Sequence, residues 1–173
     1  RYYKMQRWGG FKLYDDNLCF FRAIREYLKT SPEACFTDET NAALEKKLWK
    51  LLYGTKLTPT LKREYRGIAL DDICSMERIL ERGIWVYEIQ MIKDGSLRKN
   101  KKDRFHIAPK VWREASNFPK KIHLAKYGRH LIYIRHKHLF CGCWKCPRCA
   151  ALWSTKKILN DHLHICNMGQ RET

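Results

Sequence analysis

Four residues near the end of the chain have the types and spacing of a tetrahedral metal site. Cys146 and Cys149 are separated by two residues, twelve more lead to His162, and three more lead to Cys166. Two thiolates on a tight turn and two ligands one helical turn apart form the kind of donor set that structural Zn²⁺ prefers. A segment this short buries little core, so metal binding would supply its folding energy. The spacing therefore predicts one structural zinc ion.

Other cysteines and histidines near this group leave alternatives open. His164 competes for the fourth ligand position, but two residues from His162 it points to another side of a helix, which favours Cys166. A disulfide framework is the alternative for the clustered cysteines, five of which fall within the last 33 of 173 residues. Two further cysteines are either spare structural thiols or ligands of a second metal with a nearby histidine. The residues concerned are Cys141, Cys143, His136 and His138.

Cys19 stands between two acidic residues and an apolar run, in the stretch YDDNLCFFRAI. It opens a predicted helix, where the helix dipole favours a thiolate and lowers the pKa of the thiol. Backbone amides of the tight, acidic turn before it would stabilise an oxyanion. These are the requirements of a cysteine nucleophile, which also needs a histidine from elsewhere in the chain. The alternative is an inert core thiol, because Phe20 and Phe21 follow it.

The elements that must position these residues are helices in the first half and strands in the second. Apolar stripes predict helices over residues 19–29, 38–53 and 70–83, the last ending at Gly83, with a polar connection over 55–67. Branched and aromatic residues predict strands over 84–90, 104–108, 120–126 and 130–136, the last two joined by a turn at Gly128. Segregation of helices from strands indicates an α+β fold class.

Three blocks of the sequence resemble, in the same order, those of the ovarian-tumour (OTU) family of cysteine proteases. DNLCFFRAI is similar to the catalytic-cysteine block, which runs Asp, two residues, Cys, then aromatic-Arg-Ala-aliphatic. Asn17 stands where the family usually has glycine. IALDDICSMERILERGIWVYEI resembles the middle block, a helix that leads into a strand. KIHLAKYGRHLIYI resembles the closing block, in which the catalytic histidine opens a strand after a short turn, and His130 takes that place.

The resemblance implies the roles of the site residues. Cys19 would be the nucleophile and His130 the general base, while the backbone at Asn17 and Cys19 would form the oxyanion site. Ile132 stands where many members carry a polar third residue, so Asp16 is the candidate for holding the imidazole, or the triad is incomplete. The substrate would be ubiquitin or a ubiquitin-like protein, cleaved at an (iso)peptide bond through a thioester on the cysteine.

The carboxy-terminal ligand segment resembles a Cys-Cys-His-His zinc finger whose last ligand is cysteine, with Trp153 and Leu159 at its core positions. The two resemblances together imply an OTU-like cysteine protease fold over residues 1–138 and a zinc-finger module over 139–173. The arrangement is similar to that in proteins of large virus-like DNA transposons. The chain begins at Arg1 and not at methionine, so we expect it to be a piece of something longer.

The chain is strongly basic, with 35 Lys and Arg against 18 Asp and Glu and a net charge of +17. Residues 91–140 carry fourteen of the cations and three of the acids, so the charge is concentrated. A concentrated positive charge favours contact with DNA or RNA over a merely solvated surface. The predicted contact residues are Lys99, Lys101, Lys102, Arg104, Lys120, Lys121, Lys156 and Lys157. The alternative function is a catalytically inactive OTU-like module that binds nucleic acid or docks in a transposon or viral replication protein.

The cysteine pattern and the hydropathy of the sequence indicate the compartment in which the protein acts. Histidines interleaved with the clustered cysteines favour metal binding over disulfides, and so a reducing compartment. No signal peptide is visible, and no apolar run reaches membrane-spanning length, so no membrane partner is expected. The sequence therefore predicts an intracellular protein, cytoplasmic or nuclear.

Overall fold

Helices occupy the first half of the chain and strands follow, which confirms the α+β class. The computed structural model describes residues 16–32, 38–93, 105–135, 144–153 and 156–166. The helices are α1 (Cys19–Thr30), α2 (Asn41–Tyr53), α3 (Pro59–Glu64), α4 (Leu70–Leu80) and α5 (Lys156–Ile165). The strands are β1 (Gly83–Lys93), β2 (Phe105–Arg113), β3 (Lys121–Tyr127), β4 (His130–Tyr133), β5 (Trp144–Lys145) and β6 (Leu152–Trp153).

The first two predicted helices are confirmed, and local signals explain their ends. α1 buries the predicted apolar stripe and ends two residues before Pro32. α2 ends at Tyr53 and is capped by Gly54, which adopts the left-handed conformation with φ 71° that glycine tolerates best. Its start at Asn41 lies slightly later than predicted, because the Thr40 hydroxyl accepts a hydrogen bond from the N–H of Ala43 and caps the helix.

Two predictions about connections are wrong. Within the predicted polar connection over residues 55–67, Pro59–Glu64 forms a short helix that starts at a Thr58 cap. A cap followed by proline is a helix-start signal that was available in the sequence. The third helix does not end at Gly83. It ends with Glu81 in the left-handed conformation, φ 54°, and Gly83 is the first residue of β1.

Four of the strands form one sheet with the order β2-β1-β3-β4. β1 and β3 are parallel, and β2 and β4 flank them in antiparallel orientation. The predicted hairpin is confirmed: Tyr127 pairs with His130 across a turn that contains Gly128, φ 57°. Over the part of the chain that is described, no helix combines the length and the apolar character needed to cross a membrane.

The two faces of the sheet belong to two different cores. Ile84 and Val86 of β1 are buried with residues of α1, α2 and α4. Trp85 and Tyr87 are buried on the opposite face with residues of the carboxy-terminal module. Leu124 of β3 lies on the helical side. This alternation follows from the two-residue period of a strand, and it makes the sheet the middle of three layers.

The carboxy-terminal module is a small hairpin followed by a helix. β5 pairs with β6 in antiparallel orientation, with Trp144 opposite Trp153, and α5 follows. Leu159 is buried and Trp153 packs against the same core, as their predicted core positions require. The domain boundary predicted between residues 138 and 139 lies outside the described residues.

Candidate functional site

The four predicted metal ligands converge on one point. The donor atoms of Cys146, Cys149, His162 and Cys166 all lie within 4.8 Å of one another. The Cys149 Sγ lies 3.2 Å from the His162 Nε2, and the Cys146 Sγ lies 3.8 Å from the Cys166 Sγ. All three cysteines are buried. The predicted ligand set is therefore confirmed as a Cys₃His group that could hold a metal ion.

The protonation of these ligands is set by burial and by the tight turn that carries two of them. Burial raises the pKa of Cys149 to about 12. Burial acts in the same sense on Cys146, but hydrogen bonds from the backbone N–H groups of Cys149 and Arg148, together with those from the Cys149 and Cys166 thiols, lower the pKa of that thiol. Burial also lowers the pKa of His162, which favours the neutral imidazole that binds metals. A bound dication would favour thiolates at all three cysteines.

The alternatives for the ligand set resolve in favour of Cys166. His164 is exposed, whereas the ring of His162 packs 4.6 Å from the ring of Trp153. Arg148 donates hydrogen bonds to the carbonyls of Leu163 and Cys166, which ties the cysteine turn to the end of α5. The candidates for a second metal site, Cys141, Cys143, His136 and His138, lie outside the described residues.

The candidate metal ligands contact the sheet through aromatic side chains of its central strands. The Trp85 indole N–H donates to the Cys149 carbonyl at 3.1 Å, and this hydrogen bond is buried. The Trp85 ring is stacked on Tyr87, whose ring in turn is stacked on His123 of β3. The Tyr87 hydroxyl lies 3.1 Å from the His123 Nδ1. The Cys₃His group is thus part of the packing on one face of the sheet.

Cys19 lies against the turn that leads into β4. Its thiol donates to the carbonyl of Arg129 at an Sγ–O distance of 3.6 Å. Arg129 immediately precedes His130, which is the first residue of β4 and is exposed. The fold therefore brings the start of α1 and the start of β4 together, although 110 residues separate Cys19 from Arg129. The catalytic roles of Cys19 and His130 stay predictions.

The thiol of Cys19 is protonated more firmly than the sequence predicted. Burial raises its pKa above the ordinary value. The backbone amides of Leu131, Phe20 and Cys19 itself, and the charge of Arg22, act in the opposite direction but do not overcome burial. The expectation that the helix start lowers the pKa of this thiol is therefore wrong for the free protein. The same amides are available to stabilise negative charge that develops later at the sulfur.

Asp16 is held by a buried guanidinium. Arg22 donates from Nη1 and Nη2 to the two carboxylate oxygens at 2.5 and 2.7 Å, and the Leu18 N–H donates to Oδ1 at 3.1 Å. The Lys62 ammonium lies 3.7 Å from the Asp16 Oδ2. The hydrogen bond from Arg22 is the main cause that lowers the pKa of Asp16. Among the described residues, Asp16 forms no hydrogen bond to His130, so its role in holding the imidazole stays a prediction.

Asn17 connects the same loop to a distant aromatic cluster. Its side-chain amide donates to the backbone carbonyl of Tyr65 at 2.8 Å, across 48 residues. The Tyr65 hydroxyl lies 2.7 Å from that of Tyr53, which donates to Asp72 at 2.9 Å. Burial raises the pKa of Tyr65 to about 12 and raises that of Tyr53 as well. Sequence reasoning missed both tyrosines, and no local pattern marks a contact between such distant segments.

The predicted nucleic-acid residues differ in exposure. Lys120, Lys156 and Lys157 are exposed. Lys121 is buried, donates to the Ser116 carbonyl at 2.8 Å, and has a pKa lowered by burial, so it is not part of an exposed basic surface. The remaining predicted residues, Lys99, Lys101, Lys102 and Arg104, lie outside the described residues.

The fold and the two sites define a mixed helix–sheet protein with a cysteine at a helix start and a Cys₃His group. No protein-family model, curated protein or solved structure matches the chain. What the molecule does must therefore be inferred from the contacts of its own residues.

Proposed function

We propose that the chain is an OTU-like cysteine hydrolase that cleaves ubiquitin or ubiquitin-like (iso)peptide bonds through a thioester on Cys19. One observation carries the proposal: the Cys19 thiol, at the first residue of α1, contacts the Arg129 carbonyl directly before His130. A nucleophile at a helix start and a histidine at a strand start, joined by the fold, are the arrangement that the sequence resemblance implies.

The proposed chemistry follows from the protonation of the thiol. Because burial raises the pKa of Cys19, its proton must be removed as the sulfur attacks, and His130 is the proposed acceptor. The sulfur bonds to the scissile carbonyl carbon, the C=O electron pair moves to oxygen, and backbone N–H groups at Asn17 and Cys19 stabilise that oxyanion. The imidazolium then protonates the leaving amine as the C–N bond breaks. Water, deprotonated by the imidazole, hydrolyses the thioester and restores the thiol.

We further propose that the metal is a structural zinc ion. Three thiols and one imidazole in a closed tetrahedral set are typical of Zn²⁺ and leave no open position for substrate. The buried donor atoms, all within 4.8 Å of one another, support this fit. When bound, the ion stabilises the carboxy-terminal module and takes no part in the proposed hydrolysis.

A ubiquitin probe with an electrophilic C-terminus tests the hydrolase directly. We expect covalent labelling of the full chain at Cys19, complete loss in Cys19→Ala, and loss by at least about a hundredfold in His130→Ala, because the general base is absent. Cys74→Ala is the matched control, since Cys74 is an exposed thiol on α4 and its removal leaves labelling intact. Labelling at Cys74, or none at all, would contradict the proposal.

Nucleic-acid binding is the second candidate, and an exposed aromatic residue favours it. Trp144 is 41% exposed, and the Lys156 ammonium lies 5.8 Å from the centre of its ring. An exposed indole beside cations can stack on a base while the cations contact phosphate. Single-stranded DNA should then be retained with a steep dependence on salt. Trp144→Ala should weaken retention more than Leu51→Ala, which removes an exposed apolar side chain from α2, and equal effects would argue against this surface.

A further inference from the structure

We propose that Asn17 is a positioning residue for the nucleophile, and that it acts by anchoring the oxyanion loop to the backbone of Tyr65. The loop consists of residues 16–18, directly before Cys19. This inference rests on the proposed hydrolase for its catalytic meaning, but the anchoring itself is a property of the fold that can be measured separately.

The Asn17 side chain is held to a distant segment by a hydrogen bond. Asn17 is exposed, so no apolar packing holds its side chain in place. Even so, its amide lies 2.8 Å from the Tyr65 carbonyl, on a segment 48 residues further along the chain. The family that the sequence resembles usually has glycine at this position, and glycine has no side chain that could form such a bond.

Tyr65 provides a rigid anchor. Its ring packs 4.9 Å from that of Trp49 and 6.0 Å from that of Phe21, which belongs to the same helix as Cys19. Its hydroxyl is hydrogen-bonded to Tyr53, which in turn donates to Asp72. A backbone carbonyl at a residue fixed at both ring and hydroxyl cannot move without disturbing this network.

The loop is therefore fixed on two sides. On one side, Asp16 is bound by the Arg22 guanidinium and accepts from the Leu18 N–H. On the other, Asn17 is bound to Tyr65. Together these bonds fix the peptide groups between Asp16 and Cys19, of which the Asn17 and Cys19 N–H groups would face the oxyanion while the Leu18 N–H is bound to Asp16. Without the Asn17 bond only the Asp16 contacts and the buried Leu18 side chain hold the loop, and small errors in donor position cost large factors in rate.

The rate of labelling by the ubiquitin probe separates positioning from binding. In Asn17→Ala we expect the limiting rate constant kinact to fall by about ten- to a hundredfold while KI and the pH midpoint stay unchanged. Asn17→Gln keeps the amide donor and should recover part of the rate, whereas Asn17→Gly should behave like alanine. Asn160→Ala, an exposed asparagine on α5, is the control and should match the parent chain. An unchanged kinact in Asn17→Ala would overturn the proposal.

Hydrogen exchange tests the anchor without any turnover. The amides of Leu18 and Arg22, which donate to the Asp16 carboxylate and to the Leu18 carbonyl, should exchange faster in Asn17→Ala than in the parent chain, while those of β1 stay the same. If the parent chain is not labelled by the probe but this exchange increases, the hydrolase proposal is wrong and the anchoring stands. If exchange at Leu18 and Arg22 is unchanged, the anchoring is wrong, whatever the probe shows.

Discussion

At the scale of single residues, Cys19 is governed by a competition between burial and backbone dipoles. The helix start, the Leu131 amide and the Arg22 charge all favour the thiolate, but the loss of solvent around the half-buried sulfur outweighs them and raises its pKa. A free protein with a neutral thiol resists oxidation and alkylation, since the thiolate is the reactive form. The proposed hydrolysis would then need the histidine at the moment of attack.

This balance predicts the pH dependence of Cys19 reactivity. A raised pKa means that the thiolate fraction is small near neutral pH and grows only as pH rises into the alkaline range. Alkylation of Cys19 by a small neutral reagent, followed by peptide mass spectrometry, should therefore have a midpoint above that of free cysteine at about 8.5. The same peptide in the denatured chain should return to the ordinary midpoint. A midpoint below that of the denatured chain would mean that the helix start dominates.

At the scale of elements, the junction of α4 with β1 depends on one buried carboxylate and one glycine. Glu77 is fully buried and accepts from the N–H groups of Ile84 and Ser116 and from the Arg113 guanidinium. These hydrogen bonds outweigh the effect of burial and lower the pKa of Glu77. They draw the start of β1 so close to the segment before β3 that Gly83 has no room for a side chain.

Gly83→Ala should therefore destabilise the fold through a collision with backbone. An added Cβ would lie 2.5 Å from the carbonyl oxygen of Ser116 and 2.8 Å from Cδ of Lys121. Because a carbonyl cannot swing aside as a flexible side chain can, we expect a loss of about 2–3 kcal/mol in the free energy of unfolding by urea. Gly54→Ala is the comparison: its Cβ would meet nothing within 4 Å, and its left-handed conformation should cost about 1–2 kcal/mol. Equal losses of unfolding free energy in the two variants would show that the contact with the Ser116 carbonyl does not destabilise Gly83→Ala.

The sequence predicted those features that are determined by neighbouring residues and missed those that depend on tertiary contacts. Apolar stripes identified α1 and α2, and the ligand spacing identified all four residues of the candidate metal site, because period and spacing are local properties. Lys121 was misassigned to the surface since its charge was visible in the sequence while its burial was set by tertiary packing. The contact of Asn17 with Tyr65 joins segments 48 residues apart, and no pattern in either predicts it. His130 was selected only through the family resemblance.

At the scale of the whole molecule, the carboxy-terminal module packs on one face of the sheet. Three of its cysteines share a core with Trp85 and Tyr87, while the helices that include α1 cover the other face. The Trp85 indole bonded to the Cys149 carbonyl is a direct link between them. Removal of the module would expose these rings to water, so the stability of the sheet should depend on the proposed metal.

Loss of the metal should therefore loosen the sheet as well as the module. In His162→Ala, or after chelation of the full chain, we expect a loss of about 4 kcal/mol, as for a ligand about a thousandfold above its Kd, which lowers the melting midpoint by roughly 8–16 °C for a chain of this size. Hydrogen exchange should increase in β1 and β3 together with residues 144–166, because the face of the sheet that the module covers becomes exposed to solvent. His164→Ala, an exposed histidine on the same helix, should keep one zinc per chain and the parent midpoint. Faster exchange confined to residues 144–166 would mean instead that the module folds as an independent unit, since the sheet would then keep its packing without it.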